Sequence, residues 1–397
     1  MAFPDSISSG FNFDEAKFLL EVAQQTYNNT PNIPTSNISV PCPIVVPPPP
    51  GNWQIVNSMT PTETTLLDNF WQVWQNQDKD KTSQYVIAIR GTVDTTPSII
   101  ADITLPLIKA RIDIDNFPFG LHLARQEDNS PVVAGVHAGF LLSLLLMLLT
   151  TDKPLAATLS NLACIDGAEV YLTGHSQGAS IAILLTSLVR HSTDFFKGPT
   201  YKTYVFAPAK PGNDHYAYDY DRIAGEPGFG FSVINTQDWV PQIPLTLQGL
   251  STVNRPNVVY EFSGQLNPAI PTALQNLRNA FDAAVDSVRD DIENALKAIV
   301  QKIEGELDKA TFTLTTADLG MTGDAQPLGS SIVSTFLSDV FDQILLSLNF
   351  AKAGVLVPVF ADPGPNPDDA TRGQFDPFWQ HHLCNYLFYF EQQYRPS

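Results

Sequence analysis

Val170-Tyr171-Leu172-Thr173-Gly174-His175-Ser176-Gln177-Gly178-Ala179-Ser180 reads as a short apolar strand, a turn with glycine two residues either side of a serine, and the start of a helix that runs on through the apolar stretch to Val189. This is the G-x-S-x-G layout of a nucleophile elbow. A serine forced onto so sharp a strand-to-helix turn leaves no room for side chains at the flanking positions. Gly174 and Gly178 leave that space empty, and the Ser176 hydroxyl is pushed out above the sheet. The helix that follows aims its N-terminal N–H groups, and the positive end of its dipole, at any oxyanion formed there.

Strand-like and helix-like runs alternate on both sides of this stretch. Before it, Asn12 and Glu15 have capping-box spacing, and Phe18, Leu19, Val22 and Ala23 place one apolar face on a helix reaching Tyr27. A proline-rich segment over 29–51 is expected to run extended over the surface. Strands are predicted over 53–59, 70–75 and 85–90, the last two as a hairpin, with a strongly apolar helix after Phe140 and a second helix over about 154–162. Between them 95–114 carries two prolines, which limit any helix there to a short one. After the elbow come strands at 201–206, 231–235 and 354–359. Such alternation indicates an α/β fold with a mainly parallel central sheet flanked by helices. Ligands then bind at the carboxyl ends of the strands, where the loops after Ile89, Thr173 and Ile234 can meet. Two long amphipathic patterns, 272–309 and 334–348, predict a helical insertion over 265–350 within a single domain spanning 1–397.

The 397 residues carry a formal net charge of −19, which argues against nucleic acid or an anionic membrane surface as partner. A neutral substrate fits better. Cys42, Cys164 and Cys384 lack metal-ligand spacing, so no zinc site, disulfide framework or cofactor is expected. The longest apolar run, 140–149, is too short to span a bilayer, and the N-terminus lacks the pattern of a signal peptide. The expectation is a soluble, cytoplasmic chain unless a leader has been removed, in which case a secreted one.

A serine hydroxyl needs a base, and the base an acid behind it. In elbow-containing sheets the chain order is serine, acid, histidine. Of seven histidines, only His381 and His382 follow an acid suitably placed after the elbow. That acid is Asp238, just past the strand ending at Asn235.

Several separated motifs together resemble the class 3 (fungal-type) triacylglycerol lipases of the α/β-hydrolase superfamily. They are Arg90-Gly91-Thr92, Val136-His137-Ala138-Gly139-Phe140, Thr173 to Gly178, Tyr204 to Pro208 with Gly212-Asn213, and Asn235 to Pro241. His381-x-Leu383-x-x-Tyr386-Leu387 is similar to the family's C-terminal H-x-L-x-x-Y-L, which favours His381 over His382. The chain departs from the family in having Ala207 where glycine is common and in the insertion between acid and histidine. The resemblance implies Ser176 as nucleophile, His381 as base and Asp238 as its orienting acid. It further implies an oxyanion hole from the N–H groups of Gln177 and Thr92, and structural roles for His137 and His175. The substrate class it implies is an acylglycerol ester at a lipid–water interface, with 98–108 or the 265–350 insertion as the lid. A phospholipase A1 or a short-chain or aromatic esterase would use the same residues. A non-catalytic lipase-like interaction protein would not need all of them.

Overall fold

Gln84–Arg90 is buried along its whole length, as a strand covered on both faces must be. Alternation decides which residue meets which layer: Ile87 and Ile89 face one hydrophobic cluster, Val86 and Ala88 the other. The computed structural model describes residues 3–29, 45–59, 70–81, 83–91, 106–112, 121–125, 133–149, 153–192, 196–246, 344–345, 347–363 and 378–395, with isolated positions 272, 276, 280 and 283.

In chain order the first half comprises α1 (Phe13–Asn28), β1 (Trp53–Ser58), β2 (Phe70–Asn76), β3 (Gln84–Arg90), β4 (Leu107–Lys109), β5 (Arg111–Ile112), β6 (Leu121–His122), β7 (Gly135–His137), α2 (Ala138–Leu149) and α3 (Leu155–Ala163). Next come β8 (Glu169–His175), α4 (Gln177–His191), β9 (Thr200–Phe206), β10 (Gly212–Asn213), α5 (Asp214–Tyr220) and β11 (Gly230–Asn235). The last are β12 (Ile344–Leu345), β13 (Phe350–Ala351), β14 (Val355–Val359) and α6 (Leu383–Tyr394).

The main sheet has the order β1-β2-β3-β8-β9-β11-β14. Its first three strands are antiparallel, and every pairing from β3 to β14 is parallel. This is the α/β-hydrolase architecture. The apolar faces of α2, α3 and α4 cover one side of it, and α1 and α6 the other.

Half of the expected capping box of α1 forms: the Asn12 side chain accepts from the N–H groups of Asp14 and Glu15, but the Asn12 N–H donates to the Tyr204 hydroxyl instead of to Glu15. The helix is anchored beneath the sheet by a buried ion pair. Lys202 Nζ lies 2.5 Å from Glu15 Oε2, both side chains fully buried, and the hydroxyls of Tyr171 and Tyr204 also donate to Glu15. Three donors on one carboxylate are what make this buried charge tolerable.

Several expectations need correcting. The second amphipathic pattern, 334–348, does not end as a helix: Ile344–Leu345 is strand β12, paired antiparallel with Leu107–Ile108 of β4. A cross-strand ladder overrides local helix preference there. By the same pairing, the described end of 98–108 is strand, in a five-stranded sheet of order β12-β4-β7-β10-β13. The two segments considered as lids are therefore joined at their bases. The polar stretch 212–230 contains α5 and a π-helical turn over Asp221–Gly225, held by the buried rings of Tyr216 and Tyr220. Most of 265–350, all of 98–105 and most of the proline-rich segment lie outside the described residues. Cys384 is disulfide-bonded whereas Cys164 is free; an odd count with no spacing pattern gave no sign of a bridge. Among the described residues no helix is long and apolar enough to cross a membrane.

Where α1 meets α6, Lys17 Nζ lies 4.0 Å from Glu21 and 2.7 Å from Glu391. Burial pushes the Glu21 carboxyl up to about 7, with Lys17 opposing and Glu391 adding to the rise. Folded Glu21 thus keeps its proton after the unfolded chain has released it, so stability falls as pH climbs from the ordinary carboxylate value toward 7. Glu21→Gln removes the penalty. Thermal melts should show Tm raised by roughly 2–4 °C at pH 8 and unchanged at pH 4.

Candidate active site

Strand β8 ends at His175, and Ser176 takes φ 60°, ψ −131° before α4 begins. A non-glycine residue there costs on the order of 1–3 kcal/mol and persists only where its surroundings impose it. The surroundings are backbone. A Cβ on Gly174 would meet Gly178 O at 2.5 Å and Ile89 O at 2.8 Å, and one on Gly178 would press on Ile89 O and lie 2.6 Å from Arg90 C. Neither glycine has positive φ; both are required by close approach alone. Ser176 is half-exposed in a run of buried neighbours, and its N–H donates to Phe206 O at 3.0 Å.

Asp238 and His381, 143 positions apart, are brought together: His381 Nδ1 and Asp238 Oδ2 are 2.7 Å apart. Asp238 is buried, and its other contacts orient it. The Tyr386 hydroxyl donates to Oδ2 at 2.7 Å and the Val240 N–H to Oδ1 at 3.0 Å. Burial, followed by the Asp238 charge, pushes the Tyr386 phenol well up, so it remains a donor. Asn235 fixes the two loops against each other. Its side-chain N–H groups donate to Gln380 O and Oε1, both at 2.9 Å, and its Oδ1 accepts from Gln237 N. His382 instead occupies the N-cap of α6.

The ring of His381 lies against that of His175, centroids 4.4 Å apart, which puts it beside the residue before Ser176. Among the described residues no hydrogen bond reaches the Ser176 hydroxyl; in unliganded sites this bond is often long and tightens only with substrate. Gln177 is buried at the first turn of α4, with its side chain 3.4 Å from Ser143 Oγ. Thr92 lies outside the described residues, next to Gly91, which is described. His137 receives the N–H groups of Gly139 and Phe140 on Nδ1 and so caps α2. His191 pairs with Asp219 at the far end of α4.

Sequence reasoning missed Asn235 and Tyr386 as orienting groups, although both fell inside quoted motifs. Their polar atoms act across more than a hundred residues, so no local pattern reports them.

Residues 86–248 match the family model described as Lipase (class 3). Over 75 residues the chain is 33% identical to the secreted mono- and diacylglycerol lipase LIP4 of Malassezia restricta, an alignment covering 19% of this chain and 23% of that protein. It is 36% identical over 76 residues to the secreted mono- and diacylglycerol lipase LIP1 of Malassezia globosa, covering 19% and 23%. The alignments thus span about a quarter of the length of these curated relatives. Among solved structures the chain is similar to the Rhizomucor miehei triacylglyceride lipase, with a TM-score of 0.41 and 18% identity over 60% of this chain and 77% of that one. It is also similar to the lipase of Rhizopus microsporus var. chinensis, with a TM-score of 0.37 and 19% identity over 61% and 74%.

Gly178→Ala tests the elbow packing. A methyl group driven into the backbone of Ile89 and Arg90 should cost about 1–3 kcal/mol by denaturant unfolding.

Proposed function

We propose, from the match of residues 86–248 to the class 3 lipase model, that the chain is a serine carboxylic-ester hydrolase that cleaves acylglycerols through an acyl-enzyme on Ser176. The observation that carries the reading is the buried Asp238–His381 bond at 2.7 Å, beside a serine held at positive φ. With its Nδ1 proton shared with Asp238, neutral His381 offers a bare Nε2. That nitrogen takes the Ser176 proton as Oγ attacks the ester carbonyl, then returns it to the departing alcohol. Water repeats the cycle on the acyl-enzyme. Asp238 holds the imidazole tautomer and stabilises the imidazolium. The N–H groups of Gln177 and Thr92 are assigned to the oxyanion, the first supported by its place in the first turn of α4 and the second by sequence alone. Each such donor is typically worth ~10²–10³ in kcat.

The substrate is assigned to acylglycerols at a lipid–water interface, supported by relatives named as mono- and diacylglycerol lipases. Secretion replaces the cytoplasmic expectation. Those relatives are named as secreted, and a disulfide at Cys384 belongs to an oxidising compartment. The cover is assigned to 98–108 or to the 265–350 insertion, supported by the pairing of Leu107–Ile108 with Ile344–Leu345.

On a mono- or diacylglycerol substrate, Ser176→Ala should lower kcat by about 10⁴–10⁶ while the protein stays folded. His381→Ala should match it, and His382→Ala should keep most of the activity. Near-wild-type turnover by the serine variant would refute the assignment, and a reversed pair of histidine results would transfer the role of base.

A further inference from the structure

Tyr27 lies near the C-terminal end of α1, 148 residues before the elbow histidine, yet its hydroxyl reaches the site. It accepts the Gly91 N–H at 3.2 Å and lies 2.8 Å from His175 Nδ1. On the other side of that ring, His175 Nε2 lies 2.8 Å from the His381 carbonyl oxygen. A carbonyl oxygen only accepts, so Nε2 carries the proton. His175 is kept neutral because burial, and then the neighbouring His381, hold its pKa well below the ordinary imidazole value. A neutral ring protonated at Nε2 has a bare Nδ1, so Tyr27 must donate to it. The chain of bonds therefore has one direction: Gly91 N–H to Tyr27, Tyr27 O–H to His175, His175 N–H to the His381 carbonyl.

Both ends of this chain lie where the proposed chemistry needs accuracy. At one end, the Asp238 bond fixes the side chain of His381, and the His175 bond fixes its backbone. At the other, Gly91 is wedged against the elbow: a Cβ on it would sit 2.6 Å from His175 O and 2.8 Å from Ser176 Cβ. The peptide that Tyr27 holds leads directly into Thr92. A neutral His175 also spares the imidazolium of His381 a second positive charge at ring-contact distance.

We propose that Tyr27 is a positioning residue for this reaction, aligning the His381 backbone through His175 and the loop end at Gly91 directly, without touching substrate. The proposal rests on the hydrolase reading above. Misplacement of reacting groups by about 1 Å can cost ~10² in rate, so Tyr27→Phe should lower kcat by about 10–100-fold with KM within about twofold of wild type. His175→Gln should do the same, and the double variant should fall no further than the weaker single one, because one chain of bonds is broken in each. Tyr201→Phe removes another buried tyrosine hydroxyl, bonded to Phe196 O at 3.2 Å far from the elbow, and should leave kcat unchanged.

Unchanged kcat in folded Tyr27→Phe, a loss confined to KM, additive losses in the double variant, or an equal loss in Tyr201→Phe would each overturn the positioning role. If Tyr27→Phe does not fold, His175→Gln decides alone, by lowered or unchanged kcat at constant KM. Wild-type protein without Ser176-dependent turnover would instead bring down the hydrolase reading and this proposal together.

Discussion

The contact on which the site depends is between main chains. The carboxyl end of β3, at Ile89 and Arg90, lies so close to the first turn of α4 that no side chain fits at Gly174 or Gly178. That approach holds Ser176 in a conformation it would not adopt alone. The strain is offset by packing behind it, because Ile181, Leu184, Leu185 and Leu188 of α4 are fully buried against the sheet. Ser176 is left half-exposed within a run of buried neighbours.

Two buried polar clusters flank this contact and do different work. On the face covered by α1, Lys202, Tyr171 and Tyr204 fix the helix through three hydrogen bonds to the Glu15 carboxylate. The far end of α1 then places Tyr27 beside Gly91 and His175. At the carboxyl edge, Asp238 gathers His381, Tyr386 and the Val240 N–H, and Asn235 clamps the loops that carry them. Charge is buried in both, but in the second the carboxylate is hydrogen-bonded to an imidazole.

Much of this was legible in the sequence, because it depends on local periodicity or on glycine. The elbow, the buried β3, the cap of α1 and the five parallel-paired strands could all be read directly. Chain order narrowed the base to two histidines, and the geometry places His381, not His382, on Asp238. What escaped reading is short or distant. Strands β4 and β12, with three and two residues, are too brief to show a period and exist through their ladders. α5 looks polar, yet Tyr216 and Tyr220 turn inward with Asp219 buried beside them, and only Tyr218 of its tyrosines stays exposed. Lys202 carries no hint that its charge is buried, and Tyr27 none that it reaches across the sheet edge.

The sequence separations within the site imply an order of assembly. β8, α4 and β9 are neighbours along the chain, and the end of β3 that holds the Ser176 turn lies closer to it in sequence than Asp238 does to His381. The acid–base bond must close a loop of 143 residues, and the support from His175 to His381 one of 206. Long closures are entropically expensive and come late in folding. On the proposed mechanism, a chain caught midway would hold its serine without an imidazole to activate it, and chemical competence would arrive only with completion of the fold.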